Sequence, residues 1–300
     1  MLVTPFEADG RIDLDTLAHL VHTMDSWGLA AISALGFGAE ALSLDRQERA
    51  VVGRTVVGAA GRLPTIIGCT AATLHETLEL TRDAADLGAA AVMVAPPTQE
   101  RVGGAEMIDA YVKLARMVQP VTVMIQDAPR WSTFALSAQL VSEVQHQAPN
   151  VTLAKPESTP AADAVADLAQ LGTLAIFGGA GGLHMLDQKE AGAVGVIPGC
   201  DVADVLNGIY TLHDEDPDAA RALFERILPL LVLQFQTLES FVLASKLILV
   251  ERGLIPSAKT RIEHPAFGPS TRRLLLLHAA RAGVIPARMS DAESENRECE

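Results

Sequence analysis

Lys155 ends the apolar run Val151-Thr152-Leu153-Ala154 in a chain with only five lysines (113, 155, 189, 246 and 259) against eighteen arginines. The other four lysines lie in stretches that read as helix or polar loop. Lys155 alone follows a strand-like run, flanked by Ala148-Pro149-Asn150 and Pro156. An amine held at a buried strand end is disfavoured in its charged form and becomes a nucleophile toward carbonyls. A lysine that snorkels to solvent, or pairs with Glu157, fits the same position without chemistry. Asp127 stands at the end of another strand-like run, after Gln126 and before Ala128-Pro129. It is the titratable group expected to move protons beside Lys155, directly or through a water; as a loop-capping aspartate it would be structural. Glu157 is a weaker candidate, because strand alternation sends it the way of Lys155 only if the chain stays extended past Pro156.

Two glycine-rich segments complete the set. Gly36-Phe37-Gly38-Ala39-Glu40 places unhindered backbone N–H groups just before a helix that starts near Leu44, which suits an anion such as a substrate carboxylate. A tight turn would need the same glycines. Gly178-Gly179-Ala180-Gly181-Gly182 follows a later strand, at a position where barrels often bind phosphate.

The elements that must position these residues alternate. Strand candidates at 2–4, 30–35, 65–69, 90–95, 121–126, 151–155, 173–177 and 194–197 are separated by helix candidates near 13–27, 44–60, 74–87, 105–118, 137–147, 160–170 and 183–191. Thr73 with Glu76 fits a capping box, and Thr159-Pro160 fits an N-cap followed by proline at the first helical position. This pattern predicts an α/β fold, a (β/α)8 TIM barrel over residues 1–200, with an open doubly wound sheet as the alternative. After Pro198 the strands stop, and 202–213, 217–233, 236–252 and 270–282 read as a C-terminal helical extension, residues 201–286. Residues 287–300 read as a disordered acidic tail. The first strand begins one residue after Met1, so either it is short or the true start lies upstream. In a barrel, function sits at strand C-terminal ends, where Thr4 closes the first strand, Lys155 the sixth and Ile197 the eighth.

Composition excludes several classes. A net charge of −14 without a basic cluster argues against nucleic acid and anionic membranes. No apolar run reaches transmembrane length, and the N-terminus does not read as a signal peptide. Cys69, Cys200 and Cys299 have no metal-ligand spacing and read as free thiols in a reducing cytoplasm.

Taken in order, Val3-Thr4-Pro5-Phe6 with Asp9-Gly10, Gly36-x-x-x-Glu40, Ala154-Lys155-Pro156-Glu157, Gly192-Ala193-Val194-Gly195-Val196-Ile197 and Lys246-Leu247 with Gly253-Leu254-Ile255 resemble the dihydrodipicolinate synthase / N-acetylneuraminate lyase family of Schiff-base aldolases. The resemblance runs from Leu2 to about Gly283. It implies a barrel with a C-terminal helical domain, usually a homotetramer, and a lysine iminium to pyruvate or another 2-keto acid, with no metal or organic cofactor. That lysine falls on Lys155, and the carboxylate-binding positions fall on Gly38 and Ala39. The departures are large. The family's proton-shuttling tyrosine falls at Gln126, its relay threonine at Phe37, its paired tyrosines at Pro97-Thr98 and its loop arginine at Trp131. Lysine-biosynthesis chemistry is therefore not expected.

The reading is a lyase or aldolase on a 2-keto acid, with Lys155, Asp127 and Gln126 at the reacting centre and Gly38, Ala39, Phe37, Thr4 and Ile197 around the substrate. Phe37 and Trp131 make the pocket apolar, which suits an aromatic or aliphatic aldehyde partner. The alternatives are a keto-acid dehydratase or decarboxylase using the same iminium, and a non-catalytic barrel.

Overall fold

Thr65-Ile66-Ile67-Gly68 and Ala91-Val92-Met93-Val94 are buried along their whole length, as strands must be when helices cover one face and a filled interior the other. The computed structural model describes residues 1–263 and 267–286. Among them, seven strands form one parallel sheet in sequential order: β1 Ile32–Ala34, β2 Thr65–Gly68, β3 Ala91–Val94, β4 Thr122–Asp127, β5 Val151–Pro156, β6 Ala175–Gly178 and β7 Gly195–Val196. Helices α1 Leu14–Ser26, α2 Arg46–Ala59, α3 Leu74–Asp86, α4 Gly104–Met117, α5 Ala138–Gln147, α6 Ala161–Ala169 and α7 Met185–Glu190 alternate with them. Four more follow without strands: α8 Ala203–Glu215, α9 Pro217–Gln234, α10 Leu238–Glu251 and α11 Pro269–Arg281.

The strand expected at 2–4 does not form. Leu2 N–H donates to Ser33 O on β1 (2.7 Å), and Met1 O accepts from Cys200 N–H beyond β7 (3.0 Å), so the two edges of the sheet meet on one dipeptide. The ladder ends there because Pro5 has no N–H and Phe6 pairs antiparallel with Ile12, turning the chain away. The lysine strand is thus the fifth of the sheet. Thr73 and Glu76 form the reciprocal capping box. The other expected cap is displaced: α6 opens at Ala161, Pro160 occupies the N-cap position, and no side chain caps it.

Alternation divides each strand between two cores. Ile66, Met93, Met124, Leu153, Phe177 and Ile197 fill the interior. Val92, Ile125 and Ala154, their neighbours in sequence, face the helices. A separate cluster of Leu206, Ile227, Leu230, Ile248 and Leu275 binds the C-terminal helices together, with Met185 and Leu186 of α7. Among the described residues no helix is long and apolar enough to cross a membrane. Cys69 and Cys200 are buried free thiols, and burial pushes them up to about 12 and about 11. Cys299 and the acidic segment 287–300 lie outside the described residues.

Candidate active site

Lys155 leaves β5 on the interior face, directly above Leu153, and is buried. β4 pairs with β5 so that Gln126 stands beside Lys155. Glu157 completes the group. Its N–H donates to Asp127 O (2.8 Å), which adds one rung to the ladder and keeps the chain extended past Pro156. Alternation then points Glu157 the same way as Lys155, and its Oε1 lies 3.6 Å from Nζ, an ion-pair distance just longer than a hydrogen bond. The carboxylate is clamped: Gln126 Nε2 donates to Oε2 (2.6 Å) and Ala180 N–H donates to Oε1 (2.7 Å). The loop after β6 therefore does hold an anion, and that anion is the protein's own Glu157. Gly179 permits the approach, since a Cβ there would stand 2.4 Å from Glu157 Cγ.

Asp127, expected at the reacting centre, is on the wrong face. It follows Ile125 on the helix-facing side of β4, where Oδ1 accepts from Leu136 N–H (2.8 Å) and Oδ2 from the Ser158 hydroxyl. Period-two alternation is the reason: once Gln126 points inward, Asp127 must point outward, and β4 continues through Asp127 rather than turning before it.

The segment after β1 is a 3-10 turn, Phe37–Ala39. Its flanks, Leu35 (φ 58°) and Glu40 (φ 58°), and Ala180 in the loop after β6 (φ 52°), are the non-glycine residues with left-handed backbone among those described. Strained backbone thus concentrates in the two loops beside Lys155. Gly38 lines the space above Lys155, but Ala39 does not: its N–H donates to Gly36 O (3.0 Å) within the turn. Thr4 is likewise drawn back to bracing, its hydroxyl donating to Ala39 O (2.7 Å). Glu40 is pinned from behind. Its Oε1 meets Lys246 Nζ at 2.5 Å, and its Oε2 accepts from the N–H groups of Arg261 (2.7 Å) and Ile262 (3.0 Å). Lys246 is the rival buried lysine. Burial lowers its pKa despite the attraction of Glu40, but it also donates to Lys259 O (2.7 Å), lies against the Phe6 ring and does not line the space above Lys155.

That space is a chamber of about 20 Å³, large enough for a water. Phe37 and Ile197 line it, as expected from the sequence. Trp131 closes it at 5.7 Å from Phe37, centroid to centroid. Sequence reasoning missed the residues that the C-terminal region contributes: Phe235, which caps α9, and Leu238 and Phe241 on α10. Phe241 is seated between three loop glycines, since a Cβ on Gly38, Gly181 or Gly199 would stand 2.7, 3.1 and 3.1 Å from its ring. The three glycines were visible in sequence, but nothing there named the ring they receive.

A parallel sheet wound in sequential order with a lysine at a strand C-terminus defines a class of barrel-like α/β enzymes, and comparison with known proteins narrows it. The chain matches the profile of the Dihydrodipicolinate synthetase family over residues 1–269 and belongs to that family. It is 30% identical over 293 residues to an L-2-keto-3-deoxyarabonate dehydratase of Azospirillum brasilense, covering 95% of this chain and 94% of the relative. It is 28% identical over 270 residues to a 4-hydroxy-tetrahydrodipicolinate synthase of Pseudomonas aeruginosa, covering 85% and 87%. Among solved structures, dihydrodipicolinate synthase from Rhodopseudomonas palustris superposes with a TM-score of 0.86 at 25% identity, over 93% of this chain and 95% of that one. A putative dihydrodipicolinate synthetase from Pseudomonas aeruginosa gives 0.84 at 28% identity, over 93% and 97%.

Proposed function

We propose that this protein is a Schiff-base lyase acting on pyruvate or another 2-keto acid, with Lys155 as the amine and Glu157 as the proton carrier. The observation that carries the reading is the clamped Glu157 carboxylate 3.6 Å from Lys155 Nζ. The amine adds to the ketone carbon and water leaves, giving an iminium. Glu157 takes a proton from the carbon next to the iminium; the C–H electron pair becomes the carbon–carbon double bond of an enamine, and the C=N π pair moves onto the nitrogen. In the cleavage direction, Glu157 instead takes the proton of the hydroxyl two carbons away; the carbon–carbon bond breaks, an aldehyde leaves and the same enamine remains. The carboxylate beside the positive iminium favours it electrostatically. Gln126 cannot titrate; it holds Glu157. The backbone at Phe37 and Gly38 receives the substrate carboxylate.

The dehydratase reading uses the same groups, with hydroxide rather than an aldehyde as the departing group, and the Azospirillum relative favours it. Product analysis separates the two, since cleavage gives two fragments and dehydration loses only water. We read the Met1-Leu2 bonds to Ser33 and Cys200 as the closure of the seven-stranded sheet into a (β/α)8-type barrel over 1–200, with this dipeptide standing where an eighth strand would, followed by a helical domain over 201–286. We also read the assembly as a cytoplasmic homotetramer, in which light scattering showing a monomer would overturn that part.

Pyruvate with borohydride should add a stable mass to the wild type and none to Lys155→Ala. Glu157→Gln should still trap pyruvate but exchange its methyl protons with deuterated solvent about 10²–10⁴-fold more slowly. Label on a peptide carrying Lys113, Lys189, Lys246 or Lys259 would refute the assignment.

A further inference from the structure

The wall facing Lys155 has an unusual composition for a site that holds a polar substrate. Among the side chains lining the chamber, Gln126, Lys155, Glu157 and the indole N–H of Trp131 are the polar groups, and Gln126 and Glu157 are bonded to each other. The rest of the wall is apolar, and its outward side is a chain of rings. Phe37 meets Trp131 at 5.7 Å, Trp131 meets Phe235 edge-on at 5.7 Å, and Phe235 meets Phe241 edge-on at 5.4 Å. Phe241 is buried, while Trp131 and Phe235 are half-buried at the mouth. Arg130 offers no free cation inward: its guanidinium lies 5.4 Å from the Trp131 and Phe235 ring centroids and donates toward Gln236 O.

From this geometry we propose that the part of the substrate beyond the keto acid is an apolar, planar group, an aryl aldehyde or the aryl-substituted keto acid formed from it, and that Phe235 determines this specificity. The proposal rests on the Schiff-base reading above. A keto acid with several hydroxyls would bury them against phenylalanine rings that cannot hydrogen-bond and a Trp131 ring with one N–H donor to offer, and buried hydroxyls left unpaired are disfavoured. An aryl group instead joins an existing series of edge-on contacts, the arrangement that aromatic rings favour. The chamber lies against Lys155, so the keto-acid end points into it and the ring lies outward, against the exposed side of Trp131 and Phe235.

The reaction that tests this is balanced by the protein's own groups. The pyruvate enamine on Lys155 attacks the aldehyde carbon, and a carbon–carbon bond forms. The aldehyde oxygen receives the proton that Glu157 removed earlier. Water then hydrolyses the iminium, freeing the lysine and a 4-hydroxy-4-aryl-2-keto acid.

The experiment is aldol addition of pyruvate to benzaldehyde or to glyceraldehyde by the full-length protein, with borohydride trapping of pyruvate run alongside. Trapping on Lys155 with kcat/KM for benzaldehyde about two- to tenfold above glyceraldehyde is the expected result, the fold-change of one aromatic contact. Phe235→Leu, which keeps apolar bulk and removes the ring, should pull that ratio toward one through KM for benzaldehyde. Trapping with equal use of both aldehydes, or a preference for glyceraldehyde, overturns the specificity and leaves the Schiff-base reading intact. A Phe235→Leu ratio at the wild-type value overturns the role of Phe235. Absence of trapping overturns the underlying reading instead.

Discussion

Gly179→Ala tests whether the position of Glu157 matters, without touching either reacting group. The new Cβ would stand 2.4 Å from Glu157 Cγ, 2.6 Å from Oε1 and 2.7 Å from Cδ, where ordinary contact begins at 3.4 Å. The carboxylate must therefore retreat by about 1 Å. The backbone of Gly179 is fixed by the turn that follows it, with Gly182 N–H bonded to Gly179 O at 3.0 Å, so the side chain yields first. That movement stretches the 2.7 Å bond from Ala180 N–H beyond hydrogen-bond range. Losing a bond to a charged group costs about 1.5–3 kcal/mol, and crowding adds about 1–3 kcal/mol. A 1 Å misplacement of a catalytic group lowers its rate by about 10²-fold. We expect Gly179→Ala to trap pyruvate on Lys155 but to exchange the methyl protons about 10²-fold more slowly by NMR in deuterated water, with a lowered Tm. Gly103→Ala is the control, because nothing lies within 4 Å of its Cβ. A folded Gly179→Ala protein exchanging at the wild-type rate would show that the clamp on Glu157 does not serve proton transfer.

Asp127→Asn should keep both trapping and exchange, because the residue faces away from Lys155. It should lose about 1–3 kcal/mol in urea unfolding, since the amide keeps one acceptor oxygen for Leu136 N–H but turns an NH2 donor toward the Ser158 hydroxyl; lost exchange with unchanged stability would return Asp127 to the chemistry. Asp201 is fully buried, and burial, partly offset by a hydrogen bond from Gln234 Nε2 (2.6 Å), raises its pKa above 3.8. The folded protein then keeps a proton that the unfolded chain has lost. The associated stability is full below pH 3.8 and declines as pH rises through the raised value. Asp201→Asn should flatten the fall of Tm over that range, and a curve parallel to wild type would show that Asp201 does not titrate there.

The sequence by itself determined the alternation of strands and helices, the change to helices alone after Pro198, and the strand-end placement of Lys155. These are local consequences of apolar periodicity, turn residues and caps, and each is encoded within about ten residues of itself. It also contained the family membership that the comparisons show, carried by the order of short motifs along the chain. Which carboxylate lies beside the lysine was not local. Asp127 and Glu157 differ only in which face of the sheet they take. That choice depended on whether β5 continues past Pro156, a matter settled by the Glu157–Asp127 backbone bond between two strands. The closing wall was still further from view. Phe235 and Phe241 lie 80 or more residues after Lys155, at the end of α9 and on α10. Only tertiary packing, with Gly38, Gly181 and Gly199 leaving room for the Phe241 ring, brings them over the lysine. A glycine in sequence marks where a neighbour comes close, but the identity of that neighbour is decided by the fold.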